Sequence, residues 1–317
     1  MKVLVGMSGG VDSSVVAALL KHNGAEVEGV YFHQVSEPEY SCEGNVCCGE
    51  AAIARARDVA KNLGIHLHVV NLMSRFESEV INPTKEAMDS GLNPAPCNMC
   101  NSRVRGPMLQ KYANVVGADY WATGHYFQNL MGDVYMGVDP HKDQSYMMAL
   151  VDKTNLSRWL TPLGGLNKPF VRELAAHFGL STASTPDSQN LCFSHLLTKK
   201  NRSIFLNEIK VGQIDAHPVV GQRKGMLGYY ATEVGNDFVK IEKTKPMVDK
   251  ISIQKLNWIA PVASNGFFKA MLRYHGNLIE TELRDNCVHF SEPQTINSGQ
   301  VIAFYDRTQL LGGAVAV

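Results

Sequence analysis

Residues 2–5, Lys-Val-Leu-Val, read as a short strand whose apolar, partly β-branched run suits burial on both faces. From Val11 to Leu20 the apolar positions instead recur every three to four residues, which predicts a helix. The same exchange of periods continues along the chain. Strands are predicted over 26–32, 66–72 and 118–123. Helices are predicted over 49–63, 75–90, 104–116 and 168–179, with Gly64 and Gly179 as stop signals. Between them, Pro94 and Pro96 predict a stiff, non-helical loop through residue 101, and 139–145 and 185–193 read as polar loops. Alternation of strand and helix to about residue 190 predicts a doubly wound parallel sheet with its ligand at the carboxyl ends of the strands. From 251 onward the pattern changes to short alternating strands with turns at 264–266, 275–276 and 298–299, predicting a small antiparallel β-barrel or sandwich. The expected division is therefore 1–196, a small linker domain at 197–250, and a barrel at 251–317.

Composition narrows the class. A chain of 317 residues with 45% hydrophobic and 19% charged residues can build a proper core in two or three domains. No apolar run reaches membrane-span length and no signal-peptide pattern opens the chain, so a cytoplasmic protein with no membrane partner is expected. In that compartment seven cysteines point to metal or redox chemistry rather than a disulfide framework. Thirty basic residues balance thirty acidic ones, so any nucleic-acid surface must be a local patch such as Lys199, Lys200 and Arg202.

The chemistry concentrates after the first strand, in Gly6-Met7-Ser8-Gly9-Gly10-Val11-Asp12-Ser13-Ser14. Paired glycines admit a close backbone approach, and serine hydroxyls beside the N–H groups of a helix start make an anion cradle suited to phosphate. No Gly-Lys-Ser/Thr follows, so this is not a Walker A loop. It resembles the pyrophosphate loop of the ATP-pyrophosphatases, whose members activate an oxygen with AMP and expel pyrophosphate.

Further landmarks make the resemblance specific. Asn93-Pro94, Cys100-Asn101, the 118–126 stretch ending Gly124-His125-Tyr126, Asp139-Pro with Lys142-Asp143-Gln144-Ser145, and Lys168-Pro169 are followed by Asp187-Ser188-Gln189, Cys192-Phe193, the 221–225 motif holding Gln222-Arg223-Lys224, and Gly312-Gly313. In this order they resemble the tRNA 2-thiouridylase family, which makes 2-thiouridine at the anticodon wobble position. Two departures stand out. Only Gly212–Val220 replaces the longer Gly-rich segment expected before the Gln-Arg-Lys motif, and Cys97 occupies a position where the family often has aspartate.

The resemblance implies a fold, an activity and a site. ATP would be held by Gly6, Met7, Ser8, Gly9, Gly10, Ser13, Ser14, Phe32, Gly124 and His125. Asp12 is either a Mg²⁺ carboxylate or a helix cap, and His125 either contacts ligand or packs. Cys192 would carry a persulfide to the adenylated carbon, with Cys100 releasing product by forming a disulfide. A competing arrangement has Cys97, Cys100 and Cys192 ligating a 4Fe–4S cluster. Arg103, Gln222, Arg223 and Lys224 would meet substrate phosphates, while Lys142, Asp143 and Gln144 are substrate contacts or a solvated turn. Cys42, Cys47 and Cys48 fit a zinc loop, a sulfur relay or a tolerated loop, and Cys287 a core position. The acceptor is tRNA, or alternatively a free nucleobase such as guanine made into 6-thioguanine. A non-catalytic sulfur carrier is disfavoured by the intact loop. A cysteine desulfurase or sulfur-relay protein is the expected donor.

Overall fold

The computed structural model describes residues 1–35, 49–187, 191–197, 201–215, 223–224 (backbone), 229–235, 237–263 and 265–317. Cys42, Cys47, Cys48, Ser188, Gln189, Lys199, Lys200 and Gln222 lie outside the described residues, and only the strand position of Arg223 and Lys224 is described. The first sheet is parallel, with β1 (Lys2–Gly6) at its centre, β2 (Glu26–His33) and β3 (Leu67–Asn71) on one side, and β4 (Tyr120–Ala122) on the other. A two-residue strand, β7 (Trp159–Leu160), completes it beyond β4. Since the chain winds outward from β1 in both directions, the β1–β4 boundary is a topological switch point. Helix α1 (Val11–His22) packs its Val15, Val16, Ala17 and Ala18 into the core, and α2 (Glu50–Leu63) ends at Gly64 in the left-handed conformation.

Two of the predicted helices are continuous rods with a slipped turn. Met73–Phe76, a π segment at Glu77–Ile81 and Asn82–Asp89 form one. Pro96–Met99, a π segment at Cys100–Arg105 and Gly106–Val115 form the other. The stretch around Cys97 and Cys100 is therefore helical, not the loop its prolines suggested, because Pro96 sits in the first turn, where no backbone donor is needed. Each slip precedes a proline. Pro83 and Pro107 have no N–H to offer the carbonyl four residues back, and each such carbonyl accepts a guanidinium instead. Arg103 Nη1 reaches Glu79 O at 3.4 Å, and Arg75 Nη2 reaches Arg103 O at 2.9 Å. Arg103, expected to meet phosphate, is half-buried and links the two rods through its Nη1 and its own carbonyl.

The C-terminal barrel comprises β13 (Val248–Trp258), β14 (Gly266–Met271), β15 (Leu278–Arg284), β16 (Cys287–Gln294), β17 (Val301–Asp306) and β18 (Gln309–Ala316), closed by β13 pairing with β18. Sequence reading missed a hairpin, β5 (Phe127–Leu130) and β6 (Asp133–Met136), that adds to the barrel sheet through Tyr135 opposite Gln309. One apolar cluster runs from Leu4, Trp121 and Phe127 into Met271, Ala303 and Leu310, so the barrel and the parallel sheet share a core. Cys287 opens its strand half-buried rather than in the core.

Between them lies a five-stranded sheet of β10 (Arg223–Lys224), β11 (Tyr229–Val234), β12 (Phe238–Glu242), β8 (Asn201–Leu206) and β9 (Ile209–Asp215), in that order. Arg202, expected on a phosphate-binding surface, is instead fully buried. Its guanidinium donates to Gly235 O at 3.0 Å and to Met88 O at 3.4 Å, at the carbonyl-rich end of the Asn82–Asp89 helix. An arginine here satisfies helix carbonyls that the docked sheet hides from water. Arg202→Ala should lower unfolding free energy by about 2–4 kcal/mol. Lys210→Ala, on an exposed strand position, should cost less than about 0.5 kcal/mol. Urea denaturation of both variants checks the pair.

Candidate functional site

At the switch point, a cavity of about 510 Å³ opens between the ends of β1 and β4. Its wall includes Gly6, Met7, Ser8, Gly10, Asp12 and Ser13 from the first loop, Phe32 from β2, and Gly124 and His125 after β4. Lys142, Gln144 and Cys192 complete the set of expected residues that it brings together. Gly9, Ser14, Cys97, Cys100, Arg103 and Asp143 lie outside this wall.

The first loop is shaped by its glycines and hydroxyls. Gly9 has φ +74°, and a Cβ there would lie 2.3 Å from Ala52 O, so only glycine lets the loop seat on α2. Ser13 Oγ accepts from Ser8 N at 3.1 Å, holding the loop in a tight curl. Helix α1 starts at Gly10 without a side-chain cap, leaving its first-turn donors to the cavity side. Ser14 turns the other way: it is buried and donates to Gly10 O at 2.8 Å, so its hydroxyl is spent within the helix.

Asp12 does not cap the helix. Its carboxylate takes Lys168 Nζ on both oxygens, at 2.6 and 2.7 Å, and accepts from Tyr126 Oη at 2.6 Å. Burial, and then the neighbouring Asp12 charge, push the Tyr126 phenol well above its ordinary range, so it remains a donor. Lys168 is 7% exposed and also lies 3.0 Å from Asp187 Oδ1. Asp187 in turn meets Lys142 at 2.6 Å and Arg172 at 2.7 Å. Burial opposes the Asp187 charge, but hydrogen bonds from Lys142 and Lys168 outweigh it and hold the carboxyl below its usual range. Asn167 caps the Lys168–His177 helix by accepting from Phe170 N at 3.0 Å, which sets Lys168 at the first helical position.

The Asp143 and Gln144 side chains are framework. Asp143 accepts from Gly137 N at 2.7 Å and from Ser145 Oγ at 2.8 Å, and Ser145 Oγ lies 3.0 Å from Tyr305 Oη in the barrel. Gln144 Oε1 accepts from Tyr126 N at 2.9 Å. These bonds fix the 139–145 turn against the cavity.

His125 is held by donors and acceptors of known kind. Arg105 Nη1 is 3.3 Å from Nε2, and because arginine only donates, Nε2 must accept. The proton therefore resides on Nδ1, 2.7 Å from Thr123 Oγ1, which also accepts from Trp159 Nε1 at 2.8 Å. Burial, with a smaller contribution from Arg105, pushes the imidazole from 6.5 down to about 3. Gly124 beside it packs on α1 so closely that a Cβ would sit 2.8 Å from the Asp12 Cβ.

Cys97, Cys100, Cys192 and Cys287 are thiols. Burial pushes Cys97 up to about 11, and it raises Cys100 against the opposing charge of Arg105. Gln34 Nε2 lies 3.8 Å from Cys100 Sγ. Cys100 opens and Arg105 closes one π segment, whose i to i+5 pairing sets them one turn apart. Among the described residues, no three His, Cys, Asp or Glu side chains are gathered as a metal-holding group. Cys97, Cys100 and Cys192 lie near enough that each thiol's charge bears on the others, and the Asp12 carboxylate is engaged by Lys168. Sequence reading missed Arg105, Thr123, Tyr126, Lys168 and Asp187 as site residues, as well as Tyr274 and His275, which the barrel turn adds to the cavity wall. Lys168 and Asp187 fell within motifs; Tyr274 and His275 gave no local signal beyond a turn.

Compared with known proteins, residues 1–195 match a family model described as a tRNA methyl transferase HUP domain, and residues 248–316 match an aminomethyltransferase β-barrel domain. A tRNA-specific 2-thiouridylase of Carboxydothermus hydrogenoformans is 36% identical over 352 aligned positions, covering 98% of this chain and 96% of that protein. One from Thermus thermophilus is 35% identical, covering 99% and 94%. A solved U34-tRNA thiolase, NcsA from Methanococcus maripaludis with its [4Fe-4S] cluster, overlays 62% of this chain and 63% of its own, at 18% identity and TM-score 0.39.

The His125 geometry fixes a pH dependence. Unfolded, the imidazole binds a proton near 6.5; folded, it resists to about 3. Stability should thus fall as pH drops through 6.5 toward 3, by on the order of 1.4 kcal/mol per pH unit from this group. His125→Asn should flatten that part of the profile, measured by urea unfolding at pH 4, 5, 6 and 7. In wild-type protein, nitrogen-detected NMR should find an Nδ1–H tautomer that does not titrate between pH 5 and 8.

Proposed function

The chain belongs to the tRNA-specific 2-thiouridylase family, and we propose that it replaces a uridine carbonyl oxygen in tRNA by sulfur, at the expense of ATP. The observation that carries the reading is the meeting, in one cavity, of an anion-cradling loop, His125 and Cys192. Likeness to 2-thiouridylases along the whole chain, not merely its nucleotide half, favours tRNA over a free nucleobase or a carrier role.

Oxygen is a poor leaving group, so it must first be esterified. The Ser8–Ser13 loop and the first-turn donors of α1 receive the departing pyrophosphate, and Lys168 and Lys142 add positive charge at the cavity edge. Magnesium, where it accompanies the phosphates, neutralises charge in phosphoryl transfer. Neutral His125 accepts from Arg105 and keeps that guanidinium turned toward the cavity, where it also opposes the effect of burial on Cys100.

A persulfide on Cys192, loaded by a sulfur donor, attacks the adenylated carbon and expels AMP. Cys100 thiolate then attacks Cys192 Sγ. The Cys100–Cys192 disulfide forms as the bond between Cys192 and the transferred sulfur breaks, and thiouridine leaves with that electron pair. An external dithiol resets the pair. Burial raises both Cys97 and Cys100, but at Cys100 the Arg105 charge is the strongest opposing influence and Gln34 adds a hydrogen bond, which favours Cys100 as the resolving thiolate. Iron and acid-labile sulfide in active, anaerobically purified protein would instead favour the cluster alternative, with Cys97, Cys100 and Cys192 as its ligands.

Cys192→Ser should cut thiolated tRNA more than about 10³-fold while leaving ATP-dependent pyrophosphate release measurable. Cys100→Ser should trap tRNA on Cys192 as a reducible mixed disulfide, visible on a non-reducing gel. Product from free bases but not from tRNA would overturn the reading. Binding to tRNA should weaken steeply between 50 and 200 mM salt.

A further inference from the structure

Three residues beyond Cys192, His195 buries both of its ring nitrogens, and neither has a hydrogen-bond partner among the described residues. An imidazole has a donor or acceptor to place at each nitrogen, so hiding both from water leaves a deficit that a bound group can make good. The local backbone says which group that is. Ser194 N donates to Leu191 O at 3.1 Å, Leu196 N to Phe193 O at 2.9 Å and Leu197 N to Ser194 O at 3.2 Å, a run of tight three-residue turns. With three residues per turn, side chains at i and i+3 stand nearly eclipsed, which sets His195 on the Cys192 side of the run. Phe193, on a neighbouring side, is 1% exposed and meets Phe76 edge-on with ring centres 5.6 Å apart, so the run is anchored. Cys192 packs against the same apolar cluster, of which Cys100 is a member. Cys192 also lines the cavity, whereas His195 is not part of its wall.

We propose that His195 is a positioning residue for sulfur transfer: its ring N–H donates a hydrogen bond to the outer sulfur of a Cys192 persulfide and seats that sulfur off the cavity wall until an activated base arrives. A thiol ends at Sγ. A persulfide extends it by one S–S bond of about 2 Å and carries its charge on the outer atom, an acceptor matched to the imidazole donor. In loading, the Cys192 thiolate attacks the outer sulfur of a donor persulfide. The donor's S–S bond breaks as the new one forms, and the donor leaves as a thiolate with that electron pair. The seat rests on the function proposed above only in taking Cys192 as the sulfur carrier.

The test loads the full chain with glutathione persulfide, without ATP or tRNA, and challenges it with cyanide. Cyanide takes the outer sulfur as thiocyanate and returns the Cys192 thiolate, and the Cys192→Ser variant supplies the background from other thiols. His195→Phe keeps bulk and loses the donor, and should release the sulfur about tenfold faster than wild type. His195→Gln keeps an amide N–H and should stay within about threefold of wild type. Rates that are equal in all three proteins, or equally fast in both variants, overturn the proposal. A second readout needs no substitution at His195. In wild-type protein the His195 ring nitrogen signals, assigned through bonds by NMR, should shift on loading, and in Cys192→Ser they should not. Signals that stay put while mass spectrometry finds the added sulfur on Cys192 overturn the seat and leave the proposed function intact. A Cys192 that takes up no sulfur removes the carrier and the seat together. If both readouts come out as expected in a protein that thiolates no tRNA, the proposed function falls and the seat stands.

Discussion

The close approach of two chain segments at the centre of the parallel sheet is the constraint on which the site depends. Gly124 lies against the first turn of α1 with no room for a Cβ, and Gly9 lies against α2 in the same way. These contacts bring the donors at the start of α1, His125 and the Asp12–Lys168 pair to one wall. Every other component is held relative to that wall: the π segment by its guanidinium bonds, the 139–145 turn by Asp143 and Gln144, and the barrel by a shared core.

Much of this was legible in the sequence, for identifiable reasons. The strand–loop–helix at the N-terminus combines a period change with paired glycines, and both signals are local. The barrel was legible because alternation survives burial of only one face. Failures came where a distant partner decides. Pro94 and Pro96 suggested a loop, yet proline in a first helical turn is compatible with helix, and only the packing distinguishes the two. β7, at two residues, is too short for any periodicity to register. The β5–β6 hairpin alternates weakly on its own and becomes part of a sheet because β18 lies beside it.

Charged residues were the least legible. Arg103 and Arg202 look like a basic surface when read along the chain, but Arg202 is buried on backbone carbonyls that docking hides, and Arg103 turns one guanidinium nitrogen to a carbonyl that proline leaves unpaired. The reverse holds for Lys168, which reads as an ordinary helix-start lysine and proves to be a buried cation between two carboxylates. Neither outcome is encoded in residue type. It follows from which oxygens the fold strands away from water.

The pairing of β6 with β18 has a consequence for how the molecule is made. A ribosome delivers positions 133–136 long before positions 309–316, so the hairpin emerges with one edge waiting for a strand not yet synthesised. During that interval the nascent chain presents an open backbone edge and an uncovered apolar face, the condition under which strands seek the wrong partner. Chaperone demand should therefore track completion of β18, far along the chain from the nucleotide loop.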